Sequence, residues 1–206
     1  MIRLFDLFFS SIGILLLLPL FLLIYILIII ESKGRGFYMQ NRVGKNGVDF
    51  KLIKFRSMRV GSDKKSLITI GECDPRMTKM GYLIRRLKLD ELPQLFNVVK
   101  GEMSLVGPRP EVRKYVDLYT PEQIRVLTVR PGITDYASIE YIDENEILGN
   151  ATNPEKVYIE EIIPRKIHLN MKYINNQSVK EYFKIILLTF WRVNKKNNSK
   201  QIRMFK

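Results

Sequence analysis

The chain is poor in the residues that most often carry catalysis. Its 206 residues include one cysteine, Cys73, and one histidine, His168. A single cysteine excludes an intrachain disulfide and a purely cysteine-based metal site, and it suits a reducing compartment. A Ser-His or Cys-His nucleophile system would have to run through His168. No serine or cysteine stands close to it in sequence, so it reads as a structural or surface residue. There is no GxGxxG, no GxxxxGKS or GxxxxGKT, and no HExxH, which argues against dinucleotide, P-loop and zinc-protease chemistry. Internal repeats and long low-complexity segments are also missing. Negative charge is scarce: 21 Asp and Glu face 34 Lys and Arg, for a net charge of +13. Such a balance selects anionic partners, namely phosphates, acidic lipid headgroups or nucleic acid. Carboxylates and guanidinium groups are what remain for chemistry.

Charge is absent altogether from Ile12 to Ile30, an almost unbroken apolar run of about 19 residues. As a helix it would reach roughly 28 Å, close to the hydrocarbon thickness of a bilayer. It is too long for a secretory signal peptide, and no small-x-small cleavage site follows it. Membrane insertion is therefore expected. Pro19 sits inside the run, removes one backbone hydrogen bond and clashes with the carbonyl of Leu15, so a kink is expected near the middle. A re-entrant hairpin and a kinked span both fit. The positive-inside rule puts the flank with Lys33, Arg35, Arg42 and Lys45 in the cytoplasm.

The length suits one domain plus this attachment. Lys33-Gly34-Arg35-Gly36 marks the boundary. Phe37 to Met39 and Phe50 to Phe55 flank a turn containing Asn46-Gly47, a strong hairpin signal. The second strand would turn Lys54 and Arg56 to one face and Ile53 and Phe55 to the other. Val60 to Leu67 reads as a polar loop, and Asp74-Pro75-Arg76 precedes a helix from about Met77 to Leu87. Later helices are expected around Glu111 to Tyr119, from Thr120-Pro121-Glu122, and across Pro154 to Asn175. Glu140 to Asn153 reads as an acidic surface loop. Val179 to Val193 is amphipathic, with Tyr182, Phe183, Ile186, Leu187, Phe190 and Trp191 on its apolar side and Lys195, Lys196 and Lys200 beyond it. Both a membrane-interface helix and a core helix with a basic tail fit that pattern.

The densest chemistry lies in Tyr82 to Pro110. Arg85, Arg86 and Lys88 lead into an adjacent carboxylate pair, Asp90-Glu91. A short apolar helix from Leu92 to Val99 follows, closed by Lys100 and Gly101, and the stretch ends in the stiff turn Gly107-Pro108-Arg109-Pro110. Asp is a preferred N-cap, and Pro93 fits only a first helical turn, so Asp90 is expected at a helix N-terminus and ionised there. Adjacent carboxylates point apart and can do separate jobs on one centre. Arg130-Pro131-Gly132-Ile133-Thr134 is a second rigid turn with a basic residue.

Taken in order, the chain resembles the bacterial sugar transferase family, the monotopic phosphoglycosyl transferases that start glycan assembly on a polyprenyl phosphate. The resemblance rests on QNRVG at Gln40 to Gly44, KFRSM at Lys54 to Met58 and DPRMTKMG at Asp74 to Gly81. Its most specific parts are LDELPQLFNVVKGEMSLVGPRP at Leu89 to Pro110 and RPGIT at Arg130 to Thr134. It implies an α+β, helix-rich fold with a re-entrant membrane helix-hairpin over residues 1–36. A catalytic domain over residues 37–206 would face the cytoplasm, with a small β-hairpin and amphipathic interfacial helices. The usual Ser-Pro pair at the membrane break is Leu18-Pro19 here.

The resemblance further implies that Asp90 is a nucleophile on the β-phosphate of a UDP-sugar. UMP would leave, and the phosphosugar would pass from Asp90 to a polyprenyl (undecaprenyl) phosphate at the inner membrane. Mg²⁺ would be held by Glu91 with Asp90, and the substrate phosphates by Lys54, Arg56, Arg85, Arg109 and Arg130. Membrane lipids are expected partners, a homodimer is left open, and nucleic acid is not expected, because charge alone does not explain the apolar run. After RPGIT the chain departs from the family pattern with Asp135-Tyr136-Ala137-Ser138. Asp135 near a diphosphate would repel it unless metal-bound or turned away. A reading from another class is a membrane-anchored basic scaffold without catalysis, which would need neither Asp90-Glu91 nor Arg109.

Overall fold

The computed structural model describes residues 1–62 and 74–204, with side chains as far as residue 195. Cys73, most of the polar loop expected at Val60 to Leu67, and the side chains of Lys196 and Lys200 lie outside the described residues. The fold is helix-rich with two small sheets.

Helix α1 runs from Ile2 to Glu31 with Pro19 inside it. The helix continues through Pro19, where the re-entrant hairpin places its break. A mid-helix proline costs roughly 3 kcal/mol, and packing on both sides of it offsets that cost. Before it, Arg3 donates to the carbonyls of Val98 and Val99 at 2.6 and 3.0 Å, and Gly13 lies against Leu95. After it, Phe21, Ile24 and Ile28 are buried in a cluster with Phe55 and Ile84, worth roughly 1.5–3 kcal/mol for each side chain. At the far end Glu31 accepts from the backbone N–H groups of Lys79 and Met80 at 2.6 and 2.8 Å. Both ends of α1 are thus tied to the same body. The opposite side of the helix exposes Leu15, Leu16, Leu22 and Leu23.

Strands β1 (Phe37–Val43) and β2 (Asp49–Phe55) pair antiparallel, with Phe37 opposite Phe55 and Val43 opposite Asp49. Asn46 and Gly47 both take positive φ in the connecting loop, 56° and 76°, which is the conformation an Asn-Gly pair supplies cheaply. Leu52, Ile53 and Phe55 face the core. Helix α2 (Lys79–Arg86) starts at Thr78, whose hydroxyl accepts from Gly81 N–H. Gly81 packs on strand-end backbone: a Cβ there would sit 1.9 Å from the Ser57 carbonyl oxygen.

Helix α3 (Gln94–Lys100) ends at Gly101 with φ 90°, the expected left-handed stop. Strand β3 (Ser104–Val106) pairs parallel with β4 (Gly132–Thr134). Between them lie α4 (Arg113–Val116), shorter than the helix expected over Glu111 to Tyr119, and α5 (Pro121–Ile124), opened by a capping box of Thr120 and Gln123. After β4 come α6 (Tyr136–Glu140), α7 (Glu144–Gly149), α8 (Pro154–Val157), a π-helical turn at Tyr158–Ile162, α9 (Ile163–Asn175) and α10 (Val179–Met204). The acidic stretch expected as a loop therefore contains a helix, and its anchor is Leu148, 1% exposed in the cluster of Tyr115, Tyr158 and Ile162. Helix α10 divides its apolar residues. Tyr182 and Ile185 are buried beside Val106 and Tyr173, while Leu187, Phe190 and Trp191 are exposed.

Candidate active site

The carboxylate pair owes its position to a reversal of the chain after α2. Lys88 adopts φ 58°, a left-handed conformation uncommon for a lysine, and a 3-10 turn at Leu89–Glu91 follows. Asp90 therefore lies in this turn, and Pro93 takes the cap position of α3. The N-cap expected at Asp90 is not formed, because the chain spends an extra turn before the α-helix begins.

Glu91 is clamped. The Arg109 guanidinium donates to both of its oxygens, at 2.9 Å to Oε2 and more closely to Oε1, and Lys54 Nζ stands 3.6 Å from Oε1. Burial pushes the Glu91 carboxyl up, but Arg109 and then Lys54 outweigh it and hold it well below the usual carboxylate range. Asp90 is different. Its nearest cation is Arg85, with Nε 3.8 Å from Oδ2. Burial, then the neighbouring Glu91 charge, raises its pKa despite Lys54 and Arg85. Two adjacent carboxylates thus differ in character: one is locked as an anion, the other is more basic. Lys54 is lowered to about 8, chiefly by burial, with Glu91 opposing and Arg109 and Arg42 adding to it.

Each partner is held from behind. Asn97 on α3 is fully buried and receives the Ile53 N–H at 3.0 Å while donating to the Lys51 carbonyl at 2.8 Å, which fixes the strand that presents Lys54. Arg109 follows Gly107, whose N–H donates to the Thr134 carbonyl at 3.0 Å. Here glycine is required: a Cβ on Gly132 would come within 2.1 Å of Gly107 N, and one on Gly107 within 2.4 Å of the Arg130 carbonyl oxygen.

Asp135 fixes the same turn. Its carboxylate accepts from the Arg109 N–H and Asn170 Nδ2, both at 2.8 Å, and from Ser138 N–H, and it is 1% exposed. The charge is consumed by positioning, which resolves the repulsion that its place in sequence raised. Arg42 does similar work one step further out, donating to the Pro110 carbonyl at 3.0 Å and pairing with Glu111 at 3.1 Å.

A cavity of about 1080 Å³ collects Lys54, Arg85, Asp90, Glu91 and Arg109 on its wall. Arg56 lines it too, but its guanidinium donates to the Ser32 and Lys33 carbonyls at 2.7 and 2.8 Å, closing the end of α1. Arg130 does not line the cavity; its Nε donates to the Gly101 carbonyl at 2.9 Å. The expectation that these two bind substrate phosphate meets other partners in both cases, because a carbonyl left open at a helix end is a strong acceptor close by. The sequence gives no site role to Arg42, Asn97 or Asn170, and of the readings it leaves for Asp135 (repulsive, metal-bound or turned away) the hydrogen bonds fit the last. Arg42 and Asn97 carry a signal, since they lie in QNRVG and in the stretch Leu89 to Pro110; Asn170 is brought to the site by tertiary packing.

A family model described as bacterial sugar transferase matches residues 1–196. The chain belongs to the bacterial sugar transferase family. Among its relatives, the UDP-N-acetylgalactosamine-undecaprenyl-phosphate N-acetylgalactosaminephosphotransferase of Aeromonas hydrophila is 44% identical over 84% of this chain and 39% of its own length. The exopolysaccharide production protein ExoY of Rhizobium meliloti is 41% identical over 64% of this chain and 65% of its own length. The UDP-glucose:undecaprenyl-phosphate glucose-1-phosphate transferase of Escherichia coli is 35% identical over 92% of this chain and 40% of its own length. This sugar transferase chain therefore spans less than two thirds of each of these three relatives.

Proposed function

We propose that the chain transfers a sugar 1-phosphate from a UDP-sugar to a membrane polyprenyl phosphate, releasing UMP, as the first membrane step in building a glycan. The observation that carries the reading is the division of labour between adjacent carboxylates: Glu91 is neutralised by Arg109 and Lys54, while Asp90 faces the same cavity and has, among the described residues, a longer ion pair to Arg85. The relatives named for sugar-phosphate transfer to undecaprenyl phosphate support the substrate classes.

In the first step an Asp90 Oδ atom attacks the β-phosphorus. The bond from that phosphorus to the oxygen bridging the α- and β-phosphates breaks, and UMP leaves with the electron pair. In the second step an oxygen of the polyprenyl phosphate attacks the same phosphorus. The phosphorus–Asp90 bond breaks and the carboxylate is regenerated. No net proton is needed for either displacement, so neither step calls for a histidine on the cavity wall. Arg109, Arg85 and Lys54 offset the diphosphate charge, and burial strengthens each of these attractions.

Mg²⁺ fits the donor set. It binds through one or two carboxylates and takes its other ligands from water and substrate phosphate, and Asp90 and Glu91 are two such hard oxygen groups on one wall. Glu91, with Asp90, would hold it, and when bound it would neutralise charge on the diphosphate. The exposed apolar side of α1 is the surface that would meet the membrane, with the catalytic cavity on the cytoplasmic face.

The test is UMP release from a panel of UDP-sugars with Mg²⁺ and undecaprenyl phosphate. Asp90→Asn is expected to lower turnover by about 10³-fold or more and to abolish the phosphosugar adduct seen by intact mass in the wild type. UDP in place of UMP, or an adduct that survives in the variant, would overturn the mechanism.

A further inference from the structure

Helix α10 carries a stripe of inward positions spaced by three and four residues: Tyr182 and Ile185 are buried, and Thr189 donates or accepts at 2.6 Å with the Thr134 hydroxyl. The next position in that stripe is Arg192, which lines the catalytic cavity together with Thr189. The stripe has by then run past the apolar core, and its next residue is a cation.

The path from Arg192 to the chemistry is short in structural terms. Thr189 lies less than one helical turn before it and is bonded to Thr134. The Thr134 carbonyl receives the Gly107 N–H at 3.0 Å, and Arg109 follows two residues later. Arg192 has no carboxylate partner among the described residues, unlike Lys54, Arg85 and Arg109, so its charge is not already committed.

The other side of the same two turns is apolar and uncovered. Leu187, Phe190 and Trp191 are 68%, 67% and 60% exposed, at the i, i+3, i+4 spacing that forms one face. Lys195 Nζ stands 5.0 Å from the Trp191 ring centre, so the end of this face is basic. One turn earlier Phe183 packs edge-on against Phe9 of α1, which joins this side of the helix to the exposed apolar side of α1. A ligand that satisfies both sides of α10 must be long and apolar with one anionic end.

We propose that this end of α10 is the acceptor site: Arg192 receives the phosphate of the polyprenyl phosphate, and the Leu187, Phe190 and Trp191 face carries its lipid chain. This rests on the two-step reading given above. It adds a residue outside every motif of the sequence to the second step, in which the acceptor oxygen must reach the phosphorus held on Asp90. The cation draws an anionic headgroup out of the bilayer and into the cavity, and the apolar face keeps the chain out of water on the way.

The two half-reactions separate the test cleanly. In a detergent-solubilised full chain, mixing enzyme with UDP-sugar and Mg²⁺ alone reads donor chemistry as a UMP burst; adding undecaprenyl phosphate reads acceptor use. Arg192→Ala is expected to keep the burst amplitude and to raise the KM for undecaprenyl phosphate roughly tenfold or more, with Arg192→Lys recovering most of the loss. Trp191→Ala is expected to raise the KM for undecaprenyl phosphate and to change that for a short-chain prenyl phosphate little. An unchanged acceptor KM in Arg192→Ala, or an equal loss of burst and acceptor use, would overturn the assignment while leaving the two-step reading intact. So would weaker binding of Arg192→Ala to acceptor-free anionic vesicles with no change of KM in detergent, which would make the residue a lipid-headgroup contact. Absence of any burst in the wild type would overturn the covalent reading, and this assignment with it.

Discussion

Lys54 and Asp90 bring opposite charges into one cavity, and burial works against both. For Lys54 the consequence is a pKa lowered to about 8. Below that pH it is a cation that attracts diphosphate; above it the charge is lost. Since kcat/KM reports the free enzyme, kcat/KM for the UDP-sugar should fall as pH rises through about 8, while kcat at saturation changes less, because bound diphosphate restores the proton. Lys54→Arg should remove that alkaline limb, and a limb unchanged in the variant would assign it to another group.

For Asp90 the sign is opposite. Its folded pKa lies above the unfolded value, so the folded state holds the proton more tightly, and stability is lost as pH rises through the folded pKa. Wherever the carboxylate is ionised, it is retained at a cost to folding. Asp90→Asn should therefore raise the melting temperature at pH 7 and raise it less at acid pH, measured with the same protein that has lost turnover. A lower melting temperature at pH 7 would mean that Asp90 is a structural anion.

The elements that hold these residues differ in how far they are written in the sequence. The β1–β2 hairpin is local: Asn46-Gly47 and the alternation up to Phe55 are enough to read it. The stop of α3 at Gly101 and the capping box at Thr120 are local in the same sense. The β3–β4 pair is parallel and joins segments more than twenty residues apart, so GPRP and RPGIT read as two stiff turns with no sign that they touch. Asp90 was misread as a cap because nothing in Lys88 announces a left-handed conformation. Asp135 looked like a repulsive charge because its partners, Arg109 N–H and Asn170, come from other elements. Gly132→Ala tests the parallel pair. The new Cβ would lie 2.1 Å from Gly107 N and 2.5 Å from its carbonyl oxygen, and backbone cannot give way as a flexible side chain does. The variant should lose about 1–3 kcal/mol in urea unfolding and shift Arg109 enough to raise the KM for UDP-sugar. Wild-type values for both would show that the two motifs are not in contact.

For the molecule as a whole the open matter was how the apolar N-terminal run meets the membrane, and the sequence alone left hairpin and span standing. Composition gives the apolar character but not the partner of each helix face, and Asp6 shows why. It is an acid near the start of a membrane-type helix, yet it is buried and receives hydrogen bonds from Ser104, Leu105 and Tyr182 at 2.9 Å. Those three groups come from β3 and α10. With Arg3 on α3 and Glu31 on α2, α1 lies along the catalytic body, and a crossing helix would carry one end roughly 30 Å away from it. A chain with Cys73→Ser, Gly13→Cys and Leu95→Cys, kept in native membranes and treated with a short bis-maleimide, should form the intramolecular cross-link in high yield, since Gly13 lies against Leu95. Cysteines placed instead at Leu16 and Leu95 should cross-link poorly, because Leu16 is 73% exposed on the far side. Failure of the 13–95 pair in membranes, with success in detergent, would mean that α1 leaves the body to cross the bilayer. Success in both would make the uncovered Leu15, Leu16, Leu22 and Leu23 side the lipid-facing surface, with both helix ends on the side that holds the phosphate chemistry.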